Sequence, residues 1–308
     1  MSLVFYSNTD APEPWREAIR AALPSLPFHV WPQTGDPAAV RYTLVWKPPA
    51  GWHARFPHLR AILSLGAGVD AILADPQLPP DVPVLRLLDA GLSRQMAEYA
   101  AYGVLHFHRR MHEYALLQRD RRWEPLAPTA TEDFAVGVMG LGVLGSEAAR
   151  HIAALGYPVL GWSRTPKRIP GVKCYDAEEL DRFLAHTAVL VNFLPLTRAT
   201  TGMLDARLFA KLPKGACLVN LARGAHVVDA DLVAALDSGQ IGGALLDVFH
   251  DEPLSGDHPY WRHPRVIVTP HVAAVTLASE AAAQVIANLR RLERGEPPLG
   301  AVDRAAGY

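Results

Sequence analysis

The sequence predicts an α/β protein made of two units, each built on a parallel sheet covered by helices. Short apolar runs rich in β-branched residues alternate with helical patterns along most of the chain. At roughly 100–200 residues per domain, a chain of 308 residues suggests two such units. Hydrophobic residues make up 50% of the sequence, which is enough to bury a core in each unit.

The first series of predicted strands lies before residue 95 and comprises LVFYS, FHVW, YTLVWK, AILSLG and VPVLRLL. A long helix is predicted next, from about Ser93 to Gln118, because apolar residues recur there at helical spacing. The second series of strands comprises AVGVMG, PVLGWS, AVLVNFL, CLVNLA, GALLDVF and VIVTPH. Helices from Ser146 to Ala154 and from Asp229 to Ser238 lie between them.

The last predicted helix, from about Leu277 to Arg294, follows the completed second sheet and stops at Gly295. The pattern alone leaves open whether this helix packs on the first unit. If it does, the first unit is discontinuous.

Charge and composition narrow the class of protein. A formal net charge of −1 argues against a general nucleic-acid binder. The N-terminus reads as a buried strand rather than a signal peptide, and no apolar run reaches the roughly 18 residues of a membrane span. Cys174 and Cys217 are expected to be free thiols in a reducing compartment. We therefore expect a cytoplasmic protein with no membrane or nucleic-acid partner.

Three histidines lie on the predicted long helix, namely His106, His108 and His112. The spacing of His108 and His112 can hold a metal, but no third ligand is evident in the sequence. No metal site is predicted.

A glycine-rich turn indicates a dinucleotide-binding site. Gly140, Gly142 and Gly145 have G-x-G-x-x-G spacing between a predicted strand and a predicted helix. The first glycine allows a tight turn, the second lets a pyrophosphate approach the backbone, and the third lets helix and strand pack closely. The N–H groups and dipole of the helix start then face the phosphates.

The segment after the second strand of this unit lacks the acid that binds the adenosine ribose in many NAD-binding proteins. It carries Ser163, Arg164, Thr165 and Lys167 instead, with Arg168 adjacent. Arg164 can bind a phosphate in a fork and stack on adenine, while the hydroxyls donate hydrogen bonds. These residues favour NADPH/NADP, with NADH used more weakly. The alternative is a solvated basic loop.

Polar side chains follow three later strands. Arg223 follows one strand, Asp247 and Glu252 follow the next, and His271 follows the third. Because ligands of open parallel sheets bind beyond the carboxyl ends of strands, these groups are expected beside the glycine turn. Arg223 could bind the carboxylate of a 2-keto acid, and His271 could protonate its carbonyl oxygen. Glu252 could orient the imidazole and favour its protonated form.

Five segments carry a resemblance to the D-2-hydroxyacid dehydrogenases: MGLGVLG, NFLPLTRATTGML, LVNLARG, ALLDVFHDEPL and VTPHVAA. The resemblance implies that Arg223, Glu252 and His271 are the catalytic trio and that Asp247 lies near the nicotinamide carboxamide. It also implies cofactor contacts from the glycine turn, the FLPLT loop, the NLARG motif and a hinge helix. These contacts are Gly140, Gly142, Val143, Leu144, Gly145, Leu194, Pro195, Leu221, Ala222 and Met96. For Met96, ordinary core packing is the alternative.

The N-terminal half resembles the glyoxylate/hydroxypyruvate reductase A subgroup, through VWKPPAGWHARFPHLRAILSLGAGVD. The resemblance implies that the backbone N–H groups of Ala67, Gly68 and Val69 bind the substrate carboxylate. Trp46 would line the substrate pocket, with core packing as the alternative.

The resemblance implies two Rossmann-like domains, one flavodoxin-like for the substrate and one binding the dinucleotide, with an interdomain cleft. The expected boundaries are residues 1–95 plus 275–308 for the substrate domain and 96–274 for the dinucleotide-binding domain. The expected assembly is a homodimer through the latter. The expected activity is NADPH-dependent reduction of glyoxylate and hydroxypyruvate. A bulkier substrate such as phenylpyruvate and a non-catalytic NAD(H)-sensing corepressor are the alternatives.

Overall fold

The computed structural model describes all 308 residues, Met1–Tyr308, which form two compact units. The N-terminal unit comprises Met1–Gly91 and Thr276–Tyr308, and the C-terminal unit comprises Leu92–Val275. Each unit contains one sheet whose paired strands all run parallel. The predicted α/β class with two parallel sheets is confirmed.

The N-terminal unit has a five-stranded sheet in the order β2-β1-β3-β4-β5, the flavodoxin-like order. Its elements, in chain order, are β1 (Ser2–Tyr6), α1 (Glu13–Ala22), β2 (Phe28–Val30), β3 (Val40–Val45), β4 (Ala61–Ser64), α2 (Asp70–Leu73), β5 (Val84–Leu85) and the last helix of the chain, α9 (Ala278–Glu293).

Helix α9 belongs to this unit although it follows the whole C-terminal unit in sequence. Ala281, Val285 and Leu289 lie on its buried face, at the spacing of successive helical turns. The helix packs on α1, and the Asn288 side chain exchanges two hydrogen bonds with the backbone of Leu299. The first unit is therefore discontinuous in sequence.

The C-terminal unit has a seven-stranded sheet in the order β12-β11-β10-β9-β6-β7-β8. Its elements are α3 (Leu92–His108), α4 (Met111–Arg119), β6 (Val136–Met139), α5 (Val143–Ala154), β7 (Val159–Trp162), β8 (Val172–Tyr175), α6 (Leu180–Leu184), β9 (Val189–Asn192), α7 (Ala206–Phe209), β10 (Ala216–Asn220), α8 (Asp229–Asp237), β11 (Ile241–Leu246) and β12 (Val266–Val268).

The order of this sheet reverses at β6, which lies between β7 and β9. Such a reversal opens a crevice at the carboxyl ends of the strands, where open α/β sheets bind their ligands. All five residues of β10 and all four of β6 are buried, as expected for strands covered by helices on both faces. The carboxyl ends of the central strands therefore carry the segments that can meet a ligand.

One predicted element is wrong in detail, and one strand was not predicted. The predicted helix from Ser93 to Gln118 is two helices, because Arg110 adopts a left-handed conformation with φ of 56° between α3 and α4. The Arg110 guanidinium then binds both carboxylate oxygens of Glu113 at 2.6 and 2.7 Å, which fixes the start of α4. Strand β8 was not predicted, because this edge strand is only partly buried and contains Lys173 rather than a continuous apolar run.

Cys174 and Cys217 are both free thiols. Burial raises the pKa of the Cys217 thiol to about 12, so it behaves as a small apolar core residue. None of the helices combines the length and apolar character needed to cross a bilayer.

Candidate active site

The glycine turn joins β6 to the start of α5 at the point where the sheet order reverses. Gly140 has a φ of 101°, and a Cβ there would lie 2.7 Å from the backbone carbon of Phe193. A Cβ on Gly145 would lie 1.9 Å from the Gly140 carbonyl oxygen, so helix and turn touch only because both residues are glycine.

The N-terminal end of α5 is open, in contrast to the packed turn before it. The space where a Cβ of Gly142 would lie has no atom within 4 Å. Val143 and Leu144 begin the helix, and its first hydrogen bond runs from the Ser146 N–H to the Gly142 carbonyl oxygen at 2.9 Å. The N–H groups of the first turn are therefore left for an outside acceptor, as a bound pyrophosphate requires.

The segment after β7 places one of the predicted residues inside and the others outside. Ser163 is buried, and its hydroxyl donates to the Thr165 carbonyl oxygen at 2.7 Å. Arg164, Thr165 and Lys167 are exposed. The single Ser163 hydroxyl proton thus stabilises the loop in this structure, whereas the cationic side chains face solvent. No acid occupies residues 163–168, which fits a phosphate better than a ribose diol.

Two asparagines missed by the sequence reasoning hold the loops after β9 and β10. Asn192 and Asn220 end these strands, are fully buried, and bond to each other at 3.0 Å. Asn192 also accepts the N–H of Leu194 at 3.1 Å, and Asn220 accepts the N–H of Ala222 at 3.3 Å. An asparagine at the end of an otherwise apolar strand is the sequence signal that could have identified both residues.

His226 completes this buried network. Its Nδ1 lies 3.1 Å from the Arg223 carbonyl oxygen and from the Asn192 amide nitrogen, and its Nε2 lies 3.3 Å from the Pro195 carbonyl oxygen. The network fixes the loop of Leu194 and Pro195 relative to the NLARG segment. Leu194, Leu221 and Ala222 are themselves buried, so their side chains contribute mainly to packing.

Arg223 follows β10 and is partly buried, with a guanidinium nitrogen 2.7 Å from the Ala222 carbonyl oxygen. Gly224 then lies against the backbone of Phe249, because a Cβ on Gly224 would come within 1.9 Å of the Phe249 carbonyl carbon. The Phe249 N–H donates to Glu252 Oε1 at 3.2 Å. Direct backbone packing therefore couples the segment that carries Arg223 to the loop that carries Glu252.

His271 and Glu252 form the central polar pair. His271 Nδ1 lies 2.9 Å from Glu252 Oε2 and 3.0 Å from Oε1. Because a carboxylate only accepts, Nδ1 carries the hydrogen of this bond. Nε2 has no partner within the chain, and the imidazole is 29% exposed. The ring is thus held at one nitrogen and presents the other to a ligand, the arrangement of an oriented acid or base.

Asp247 is buried and binds the backbone around His271. Its Oδ1 accepts the Thr269 hydroxyl at 2.7 Å and the Val272 N–H at 2.8 Å, and its Oδ2 accepts the Ala273 N–H at 2.9 Å. The structure therefore gives Asp247 a supporting contact with the histidine segment, in addition to the cofactor contact that the resemblance implied. Met96 is half-buried on α3 and packs against the core of the same unit.

The N-terminal unit supplies a loop of a different kind. The N–H groups of Ala67, Gly68 and Val69 donate to no acceptor within the chain, although they lie between β4 and α2. Trp46, at the end of the neighbouring β3, packs its ring over Gly66, where a Cβ would lie 2.6 Å from the indole. Three successive backbone N–H groups without an acceptor in the chain are of the kind that can bind an anion.

The three histidines on and after α3 are held by hydrogen bonds or are partly buried. His108 Nδ1 lies 2.8 Å from the Tyr157 hydroxyl, and Nε2 lies 2.9 Å from the Thr129 carbonyl oxygen. Burial lowers the pKa of His112 to about 4, and burial also lowers the pKa of His106.

Comparison with known proteins gives a consistent result. Residues 102–273 match the profile of a family described as D-isomer specific 2-hydroxyacid dehydrogenase, NAD binding domain. A D-isomer specific 2-hydroxyacid dehydrogenase from Xanthobacter autotrophicus Py2, solved with NADPH and MES, is 46% identical, with 100% of this chain and 99% of that chain covered and a TM-score of 0.95.

Two further solved structures are also similar. An NADPH-dependent glyoxylate/hydroxypyruvate reductase from Sinorhizobium meliloti, solved with NADP and sulfate, is 40% identical over 100% of both chains, with a TM-score of 0.93. A probable 2-hydroxyacid dehydrogenase from Rhizobium etli CFN 42, solved with NADP, HEPES and L(+)-tartaric acid, is 40% identical over 100% of this chain and 99% of that chain, with a TM-score of 0.89.

The matched family region spans more than half of the 308 residues, and the similarity to full-length relatives spans the whole chain. The resemblance predicted from the five sequence motifs is confirmed at the level of the family, which also makes the protein an oxidoreductase. This chain belongs to the D-isomer specific 2-hydroxyacid dehydrogenase family.

Proposed function

We propose that this protein reduces small 2-keto acids with NADPH, with glyoxylate and hydroxypyruvate as its leading substrates. The observation that carries the proposal is the His271–Glu252 pair, in which His271 follows the edge strand β12 and its Nε2 has no partner within the chain. The similar Sinorhizobium meliloti protein, described as an NADPH-dependent glyoxylate/hydroxypyruvate reductase, supports this choice of substrates.

The keto acid has two groups to be recognised, a carboxylate and a carbonyl. Arg223 is proposed to bind the carboxylate through its planar guanidinium, which matches a carboxylate in a fork. The bare N–H groups of Ala67, Gly68 and Val69 are proposed to bind the carboxylate as well, because they have no acceptor within the chain. Trp46 is proposed to line the substrate pocket and to limit the size of the second substituent on the carbonyl carbon.

His271 is proposed as the proton donor to the carbonyl oxygen. Glu252 accepts the Nδ1 hydrogen and fixes the ring, so the proton transferred is the one on Nε2. In the oxidative direction the same nitrogen would take the proton back. Asp247 and the Gly224–Phe249 contact hold the segments on which these side chains lie.

The residues at the glycine turn fit a dinucleotide. The open space beside Gly142 and the unpaired first turn of α5 can accept a pyrophosphate, with Val143, Leu144 and Gly145 at the helix start. NADPH, when bound, supplies the hydride that no side chain can supply. Arg164, with Thr165 and Lys167 beside it, is proposed to bind the 2′-phosphate, which supports NADPH over NADH. Leu194, Pro195, Leu221, Ala222 and Met96 are proposed to line the same site.

Steady-state kinetics with a panel of 2-keto acids and both cofactors tests this function. We expect glyoxylate and hydroxypyruvate to give higher kcat/KM with NADPH than phenylpyruvate does. A preference for phenylpyruvate would replace the substrate assignment. Equal or better use of NADH would contradict the role of Arg164.

We also propose that the protein forms a homodimer in the cytoplasm through its C-terminal unit. Leu105, Met111 and Trp123 are exposed apolar residues on and after α3, and Trp123 is 100% exposed. Exposed apolar residues are common at interfaces, and these three support the proposed dimer. The two free thiols support a reducing compartment. Light scattering of Trp123→Ser against the parent tests the dimer, and an unchanged dimeric mass would place the interface elsewhere.

A further inference from the structure

The segment that carries His271 has an unusual backbone. His271 has a φ of 56°, a left-handed conformation that side chains other than glycine rarely adopt. The surrounding structure must impose this conformation, because the residue would not adopt it alone. The His271 N–H donates to the Asp247 carbonyl oxygen at 2.8 Å, and the Asp247 carboxylate accepts the N–H groups of Val272 and Ala273.

Helix α3 holds both ends of this segment. At the far end, the Gln95 amide exchanges two hydrogen bonds with the backbone of Val275, at 3.0 and 3.1 Å. At the near end, the Tyr99 hydroxyl lies 2.6 Å from the Thr269 hydroxyl. Gln95 and Tyr99 are four residues apart and so lie on the same face of the helix.

The direction of the hydrogen bonds at the near end follows from the number of protons. The Thr269 hydroxyl has one hydrogen, and it donates this hydrogen to Asp247 Oδ1 at 2.7 Å, since a carboxylate can only accept. The Tyr99 hydroxyl must therefore donate to Thr269. Burial raises the pKa of the Tyr99 phenol above its ordinary value of 10.0, so Tyr99 remains a donor throughout the neutral range.

We propose that Tyr99 is a positioning residue for His271, acting through Thr269 and Asp247. The two hydroxyls orient the Asp247 carboxylate, and the carboxylate fixes the left-handed backbone from which the imidazole projects toward Glu252. This role rests on the proposed function of His271 as proton donor. It differs from that function in that Tyr99 makes no hydrogen bond with Glu252 or His271.

Kinetics of single and double variants test the proposal. Tyr99→Phe removes only the hydroxyl, and we expect kcat for keto-acid reduction to fall about fivefold to tenfold while both KM values stay within about twofold. Thr269→Val should lower kcat at least as much. Thr269→Ser keeps the hydroxyl and should retain most of the parental rate. Because Tyr99 acts through Thr269, the double variant Tyr99→Phe/Thr269→Val should be no slower than Thr269→Val.

The matched control is Tyr102→Phe, which removes a hydroxyl from an exposed residue on the same helix and should leave kcat unchanged. Multiplicative losses in the double variant, an equal loss in Tyr102→Phe, or a change confined to KM would overturn the proposal.

A second measurement requires no turnover. The imidazole NMR signal of His271, assigned by its loss in His271→Ala, should shift in Tyr99→Phe and not in Tyr102→Phe. If the parent protein reduces no 2-keto acid, the proposed function fails, and this signal still decides the positioning role. An unchanged signal in Tyr99→Phe would refute it.

Discussion

The loops at the carboxyl edges of the two sheets are built in opposite ways. In the C-terminal unit, buried polar side chains such as Asn192, Asn220 and Asp247 bind the loops that carry the functional groups. In the N-terminal unit, the loop of Ala67, Gly68 and Val69 has small side chains and bare backbone N–H groups. Proton transfer needs a side chain held in one orientation, whereas an anion can be bound by backbone alone.

Buried imidazoles show the same contrast. His226, in the C-terminal unit, has partners at both ring nitrogens. His53, in the N-terminal unit, is equally inaccessible to solvent, and neither of its ring nitrogens has a hydrogen-bond partner. His226 connects two loops through its hydrogen bonds. His53 instead packs against Trp52, with the two ring centroids 5.2 Å apart, and its burial carries a desolvation cost.

Removal of the oriented side chain gives the largest expected effect. His271→Ala should lower kcat by about 10³-fold, because it removes the proposed proton donor. The KM for NADPH should change little, since the glycine turn is intact. Steady-state kinetics measures both quantities, and His151→Ala, an exposed histidine on α5, is the control. Reduction by His271→Ala near the parental rate would show that another group supplies the proton.

Lowering the pH should reveal how much the buried, unpartnered His53 destabilises the fold. Burial lowers the pKa of His53 from 6.5 to about 4, so the unfolded chain binds its proton at a higher pH than the folded protein does. The stability associated with neutral His53 is therefore lost as the pH falls from 6.5 toward 4. Between pH 7 and pH 5 the loss should be about 2 kcal/mol in the free energy of unfolding.

Urea denaturation of His53→Leu at both pH values measures this contribution. The variant should lose about 2 kcal/mol less than the parent does between pH 7 and pH 5. His58→Leu, an exposed histidine of the same unit, should behave as the parent. An identical pH dependence in His53→Leu would mean that His53 acquires a partner that offsets its burial. His112, whose pKa burial also lowers to about 4, should destabilise the C-terminal unit in the same pH range.

Cofactor selectivity is proposed to depend on the exposed Arg164 side chain, so its substitution should have a smaller effect. Arg164→Ala should lower the preference for NADPH over NADH by about tenfold, chiefly through a higher KM for NADPH. Lys214→Ala removes a positive charge remote from the glycine turn in sequence and should leave the preference unchanged. An unchanged preference in Arg164→Ala would favour the solvated basic loop.

The smallest effect is expected at the loop of Ala67, Gly68 and Val69, where backbone N–H groups are proposed to bind the substrate carboxylate. Ala67→Ser changes the side chain and keeps the N–H group, so the KM for the keto acid should stay within about twofold of the parent. A rise of tenfold or more would show that the small side chain, and not the backbone, determines binding at this loop.

The strands and the motif positions could be predicted from the sequence because they depend on local patterns. Buried parallel strands are apolar runs, and the glycine turn has fixed spacing between a strand and a helix. The His271 position could be predicted because it ends such a run.

The supporting contacts could not be predicted, because their partners are distant in sequence. Tyr99 meets Thr269 across 170 positions, and Asn192 meets His226 across 34. The sequence around Tyr99 or around Asn192 does not indicate which distant polar residue will be its neighbour in the fold. The break at Arg110 was missed for a related reason, since the apolar pattern continues through the left-handed residue.

The left-handed backbone of His271 also implies a trade-off between activity and stability. Such a conformation costs of order 1–3 kcal/mol in a residue with a Cβ, and glycine adopts it freely. His271→Gly should therefore relieve strain in the fold while removing the group proposed to transfer the proton. Histidine at this position therefore favours the proposed proton transfer at the expense of fold stability.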